Sequence, residues 1–219
     1  MSESYDRSVF LNVPFDSSYR PLFEAVTFAV YACGFLPRCA LETEDSSQVR
    51  IEKITGIVRQ CRLSIHDISR TQADRDTRLP RFNMPFELGI FFGAKAFGSG
   101  DQRRKACIVF DTERYRYQKF LSDIAGQDIR AHGRSVERVI QQVRDFLASQ
   151  CPPHVVLPGG RALVARYEEF RRELRLSCAR LHLDPRSLTF RDLTVFIVGW
   201  MDESPLPHHA HSTAPAARR

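Results

Sequence analysis

The chain has 219 residues, a formal net charge of +6 and a hydrophobic fraction of 43%, enough for one full core and a small extension. No apolar run approaches the roughly 20 residues that cross a bilayer, and Met1 to Asp6 lack the basic and apolar regions of a secretory signal, so a cytoplasmic protein with no membrane partner is expected. The positive charge is dispersed, with no zinc finger, basic arm or recognition helix, so nucleic acid is not the expected partner and anionic metabolites suit the surface better.

Val9 to Val13 reads as a buried strand, ended by Pro14 and the polar stretch Phe15-Asp16-Ser17-Ser18. Pro21 then opens a helix, because its missing N–H costs little in a first turn. Leu22, Val26, Ala29, Val30 and Cys33 keep helical spacing up to Gly34, a natural stop. Phe35 to Leu41 is a second strand and Arg50 to Gln60 a second helix. Leu63 to Ile68 is a third strand with Asp67 near its end. A long polar loop runs from Ser69 to Phe82, and Asn83 is placed to cap the helix that follows. Ala106 to Phe110 is a fourth strand, Tyr115 to Ile124 a helix, Asp128 to Ala131 a short fifth strand and Val136 to Ala148 a helix.

Strands alternate with helices, and their apolar runs are continuous. That combination predicts an α/β fold: a flavodoxin-like (Rossmannoid) parallel sheet of about five strands with helices on both faces. It occupies residues 1–150. Proline- and glycine-rich turns then lead to two helical stripes, Leu163 to Leu181 and Leu193 to Trp200. They form a helical appendage over 151–203 that must pack on the main domain or on another copy of the chain. Residues 204–219 read as a disordered tail, and His208, His209 and His211 within it are a remote possibility for metal binding. The six cysteines have no close zinc spacing and read as small buried thiols, so no metal site is assigned.

Ligands of such sheets bind beyond the C-terminal strand ends. There the sharpest signal is Glu87, the only charged residue between Arg81 and Lys95. Its helical neighbours Ile90, Phe91 and Ala94 are apolar, and a carboxylate on such a stripe is costly unless paired. An acid in a first helical turn complements the helix dipole, which accounts for its sign but not for its surroundings. Asp67 puts a second carboxylate at a strand end, with a turn-forming role as the simpler alternative. His66 must point to the opposite face from Asp67, so a core or surface role suits it. The first loop has no dinucleotide or P-loop signature; Asp16, Ser17, Ser18 and Arg20 are placed to hold ribose or phosphate, or merely to lead a helix. Arg50 opens a helix near the second strand and is either a surface residue or a ligand contact.

The blocks Asn12-Val13-Pro14-Phe15-Asp16, the strand ending in Asp67, and Phe86-Glu87-Leu88-Gly89 opening a helix resemble the nucleoside 2-deoxyribosyltransferase-like group and the related TIR-type domains. The chain also looks like a branch of bacterial proteins sharing the N-V-P-[FY]-D and N-M-P-F-E-L-G blocks. The resemblance covers roughly the first 150 residues. It implies an N-glycosidic hydrolase or transferase with Glu87 as catalytic nucleophile or oxocarbenium-stabilising carboxylate, assisted by Asp67. Phe15, Asp16, Ser18, Arg20, Arg50, Ser69, Asn83, Met84 and Phe86 would then line the substrate. The chain departs from the transferase pattern where Arg81 to Pro85 replace small, glycine-rich residues. Arg70, Arg75, Arg78 and Arg81 make that loop basic, which favours NAD as substrate over a bare nucleoside; no cofactor is implied. Asp123 and Asp128 stand outside the family pattern and suit a loop role. A non-catalytic TIR-like module that senses a nucleotide, or self-associates through the C-terminal helices, is the alternative.

Overall fold

The structure is a computed structural model and describes residues 3–71 and 82–205. The tail and most of the basic loop, including Arg75, Arg78 and Arg81, lie outside these residues. A short helix α1 (Glu3–Arg7) leads into β1 (Ser8–Asn12), α2 (Arg20–Ala32), β2 (Leu36–Arg38), α3 (Arg50–Gln60), β3 (Leu63–Asp67) and α4 (Asn83–Phe97). Then come β4 (Ala106–Asp111), β5 (Arg130–Ala131), α5 (Val136–Ser149), α6 (Gly160–Arg180) and α7 (Phe190–Glu203).

The five strands form one parallel sheet in the order β2-β1-β3-β4-β5, the flavodoxin-like order. Its chain order reverses between β1 and β3, the kind of switch point beside which such sheets take ligands. Alternate strand residues serve opposite faces. Val9, Leu11, Leu63, Ile65, Ile108 and Phe110 join a large core with α2, α5, α6 and α7. Phe10 packs on the other face with Ile54, Ile57 and Val58 of α3 and Phe91 of α4, while Val109 meets Leu88. Both faces are therefore covered, and strand periodicity alone is muted.

The two C-terminal helices pack on the main domain. Leu163, Tyr167, Phe170 and Leu174 of α6 and Leu193 and Ile197 of α7 belong to the same apolar cluster as Phe23, Val26 and Phe28 of α2. Phe28 stacks on Phe170 with centroids 5.3 Å apart.

Local signals matched at some points and failed at others. Gly34 ends α2 with φ +80°, a conformation that favours glycine. Asn83 does not cap α4: it is the first helical residue, Phe82 holds the cap position, and no side chain caps this end. Tyr115 to Ile124 is not one α-helix but two short 3-10 turns, Arg116–Lys119 and Ser122–Ile124, with Tyr115 left-handed at φ 61° before them. At the opposite edge of the sheet Lys105 is buried. Its ammonium donates to the carbonyls of Val58 (2.6 Å) and Cys61 at the end of α3 and lies 4.9 Å from the centre of the Phe91 ring. Burial pushes its pKa down to about 8. All six cysteines are free thiols. Among the described residues no helix is long and apolar enough to cross a membrane.

Candidate functional site

Each helix that follows a strand starts at the C-terminal edge of the sheet, so the N-termini of α2, α3, α4 and α5 converge on the strand tips. Three of those tips carry buried polar side chains: Asn12 of β1, Asp67 of β3 and Asp111 of β4.

Glu87 lies in the second turn of α4 and is 5% exposed. Burial pushes its carboxyl up to about 7, against a lowering influence from Arg50. Arg50 is the exposed first residue of α3, the helix beside α4. It acts on Glu87 through space, without an ion pair between the two among the described residues. Its burial is what the isolated charge on an apolar helix anticipates; the Arg50 influence was not legible there. Phe86 is 61% exposed and Phe82 54% exposed. They are four residues apart and therefore share one side of the helix start. Met84 is half-buried and Asn83 exposed.

Asn12 fixes the start of α4 against the sheet. Its Nδ2 donates to the Met84 carbonyl at 2.9 Å and lies 2.8 Å from His66 Nδ1. The reverse amide orientation would set two carbonyl oxygens against each other, so Nδ2 is the donor. His66 Nδ1 is then the acceptor, and Nε2 carries the proton toward Ser64 Oγ at 2.8 Å. Burial between Phe10 and Phe91 pushes His66 down to about 3, so it is a neutral core residue. Among the described residues Asn12 Oδ1 is buried with no hydrogen-bond partner, although most buried polar atoms find one. Asn12 was legible as part of a motif; its bridging role was not, because the partners are 54 and 72 residues away.

Asp67 and Glu87 do not share a face. Asp67 alternates with His66 and so points to the α2 side of the sheet, whereas α4 covers the other. Asp67 is fully buried. Its Oδ2 accepts from Tyr19 Oη at 2.6 Å and its Oδ1 from the Ser69 N–H at 2.8 Å. His132 Nε2 is 3.1 Å from Asp67 Oδ2 but off the line a good hydrogen bond needs. The Arg134 N–H donates to His132 Nδ1 at 2.8 Å, which makes that nitrogen the acceptor of the ring. Ser69 thus contributes backbone to an Asp67 turn, and its side chain is buried. The Tyr19–Asp67–His132 cluster joins three chain segments, and no local motif announces it.

Asp16 organises the first loop. Its Oδ1 accepts from the Ser18 N–H (3.1 Å), Ser18 Oγ (2.6 Å) and the Tyr19 N–H (3.1 Å). Arg70 grips the same carboxylate with Nε at 3.0 Å from Oδ2 and Nη2 at 2.8 Å from Oδ1. Burial raises the Asp16 pKa, but the hydrogen bonds from Ser18 and the Arg70 charge outweigh it and hold it below its ordinary value. Arg116 pins the other side, donating to Asp111 Oδ1 (2.7 Å from Nε), Thr71 Oγ1 (3.2 Å) and the Ile68 carbonyl (3.2 Å). Burial raises the Asp111 pKa, and Arg116 opposes it.

Two of the expected contacts are engaged with α2 and its neighbours. Phe15 is half-buried and packs edge-on against Phe23, 5.4 Å between centroids. Arg20 turns toward the C-terminal helices, donating to Glu24 Oε1 and to the Leu188 carbonyl, each at 2.8 Å. Asp128 pairs with Arg130 at 2.8 Å on the surface. Among the described residues no cluster of three histidine, cysteine or acidic side chains is arranged to hold a metal ion.

The assembled tips therefore offer one buried carboxyl with a raised pKa on one face and one hydrogen-bonded carboxylate on the other, with helix N-termini suited to phosphate between them. Comparison with family models, with curated proteins and with solved structures returned no match for this chain.

Proposed function

We propose that this protein cleaves or transfers the N-glycosidic bond of NAD or a related nucleotide, with Glu87 as nucleophile or as the carboxylate that stabilises the oxocarbenium-like sugar. The observation that carries this reading is the Glu87 carboxyl: 5% exposed, on the helix beside the strand tips, without a direct ion pair among the described residues, and with a pKa near 7. Structural acids are normally paired when buried, and unpaired ones with shifted pKa values concentrate at functional sites.

The chemistry follows from the charge. As the C–N bond breaks, its electron pair leaves with the base and positive charge grows on the sugar ring. An ionised carboxylate below the anomeric carbon stabilises that charge or bonds to the carbon, and water or an acceptor base then takes the sugar. In a site shielded from water this stabilisation is large. Nicotinamide in NAD is already cationic and leaves neutral, so no acid partner is required. This suits the geometry, in which Asp67 is committed to Tyr19 and Ser69 and acts as a positioning residue. Exposed Phe82 and Phe86 offer faces on which a base can stack. Arg50 and the helix N-termini suit a phosphate group. Free thiols throughout accord with work in the cytoplasm.

Incubation of wild type and Glu87→Gln with NAD, NADP and nucleosides, followed by chromatography, tests the proposal. Free base from the wild type and at least a hundredfold less from a folded Glu87→Gln are expected. A second reading is a nucleotide-sensing module that self-associates through its C-terminal helices. It draws on Val195 and Val198, 63% and 41% exposed on α7. It predicts no product, with a ligand-dependent change in oligomer size.

A further inference from the structure

On the sheet face opposite Glu87, a crevice of about 580 Å³ lies between the start of α2, α6 and the loop joining α6 to α7. Arg20, Arg171, Arg175 and Arg186 line it against only two carboxylates, Glu24 and Asp184, so two positive charges are in excess. The acids are already engaged. Glu24 Oε1 accepts from Arg20 Nε at 2.8 Å, and its Oε2 lies 3.6 Å from Arg171. Asp184 accepts from the Arg186 backbone N–H at 2.9 Å. The guanidinium groups of Arg175 and Arg186 have no ion pair or hydrogen bond among the described residues. Arg20 Nη2 is shut off from solvent with no hydrogen-bond partner among the described residues, although its Nη1 is tied to Leu188.

We propose that this crevice binds a phosphate-bearing small molecule. Guanidinium forks match phosphate oxygens in pairs, and a phosphate dianion equals the excess charge. The volume falls within the range of small-ligand sites. Walls supplied by α2 on one side and the α6–α7 segment on the other suit a compact metabolite rather than a polymer. The ligand would bridge the sheet domain to the C-terminal helices.

The test is calorimetric titration of the full chain with inorganic pyrophosphate, ribose 5-phosphate and AMP at constant ionic strength. The expected result is saturable binding of at least one, weakened at least tenfold in Arg175→Ala/Arg186→Ala and unchanged in Glu87→Gln. The two arginines are exposed, so the double variant is expected to fold, and circular dichroism checks it. The single loop change Arg186→Glu is expected to weaken binding in the same direction. No saturable binding in wild type, equal binding in the double variant, or loss of binding in Glu87→Gln overturns the proposal. Because Glu87→Gln is expected to bind, failure of the glycosidase reading leaves this result separately readable.

Discussion

A carboxyl that a helix holds against apolar side chains loses hydration, and its charged form suffers most. For Glu87 this moves the pKa from an ordinary 4.5 to about 7, with Arg50 too indirect to restore it. The consequence for stability has a definite sign. Between pH 4.5 and 7 the folded state keeps a proton that the unfolded chain releases, so stability falls as pH rises through that window and levels off above it. Glu87→Gln removes the buried charge. In urea denaturation it is expected to exceed wild type at pH 8 by up to about 3 kcal/mol and to match it near pH 5. A variant less stable than wild type at pH 8 would show that the carboxylate is well paired. The other buried titratable groups tell a different story. His66 is pushed down to about 3, and Cys33, Cys39 and Cys61 are pushed up to about 12, all by burial. This histidine and these three thiols remain neutral at physiological pH and serve packing.

At the scale of elements, the strand tips and helix starts are held by a few long-range polar contacts. Asn12→Ala leaves the Met84 carbonyl and His66 Nδ1 without their donor. The expected cost is about 2 kcal/mol, and because α4 carries Glu87, turnover should fall as well. Tyr19→Phe removes one donor from a buried carboxylate and is expected to cost about 1–3 kcal/mol; thermal denaturation measures both. These contacts also mark the limit of what could be read from the chain. Apolar runs at Val9–Val13, Leu63–Ile68 and Ala106–Phe110 revealed a two-sided parallel sheet, because burial on both faces leaves no polar alternation. The lone charge between Arg81 and Lys95 revealed Glu87. The parity of β3 separated His66 from Asp67, yet which helix covers which face depends on handed crossovers, so the chain alone did not say that Asp67 and Glu87 lie on opposite faces. The Tyr19–Asp67–His132 cluster, the Asn12 bridge and the turn of Arg20 toward Leu188 depend on residues 48 to 168 positions apart, which no local pattern encodes. Asn83 failed as a cap because Phe82 took that position.

At the scale of the whole molecule, the C-terminal helices share their core with the sheet. Phe170 packs on Phe28 of α2 and on Trp200 of α7. Phe170→Ala is expected to cost about 3–5 kcal/mol and to lower a single cooperative melting transition; separate melting of the first 150 residues would contradict the shared core. Layers on both faces pack α4 against the sheet and bury the Glu87 side chain. The direct test of the role proposed for Glu87 is the pH dependence of kcat/KM for release of free base from NAD. An ionised Glu87 predicts activity rising with pH through a limb near 7, and Arg50→Ala, which withdraws the cation that lowers this pKa, should move the limb to higher pH. Base release that is flat from pH 5 to 9, or a limb unmoved by Arg50→Ala, would contradict it.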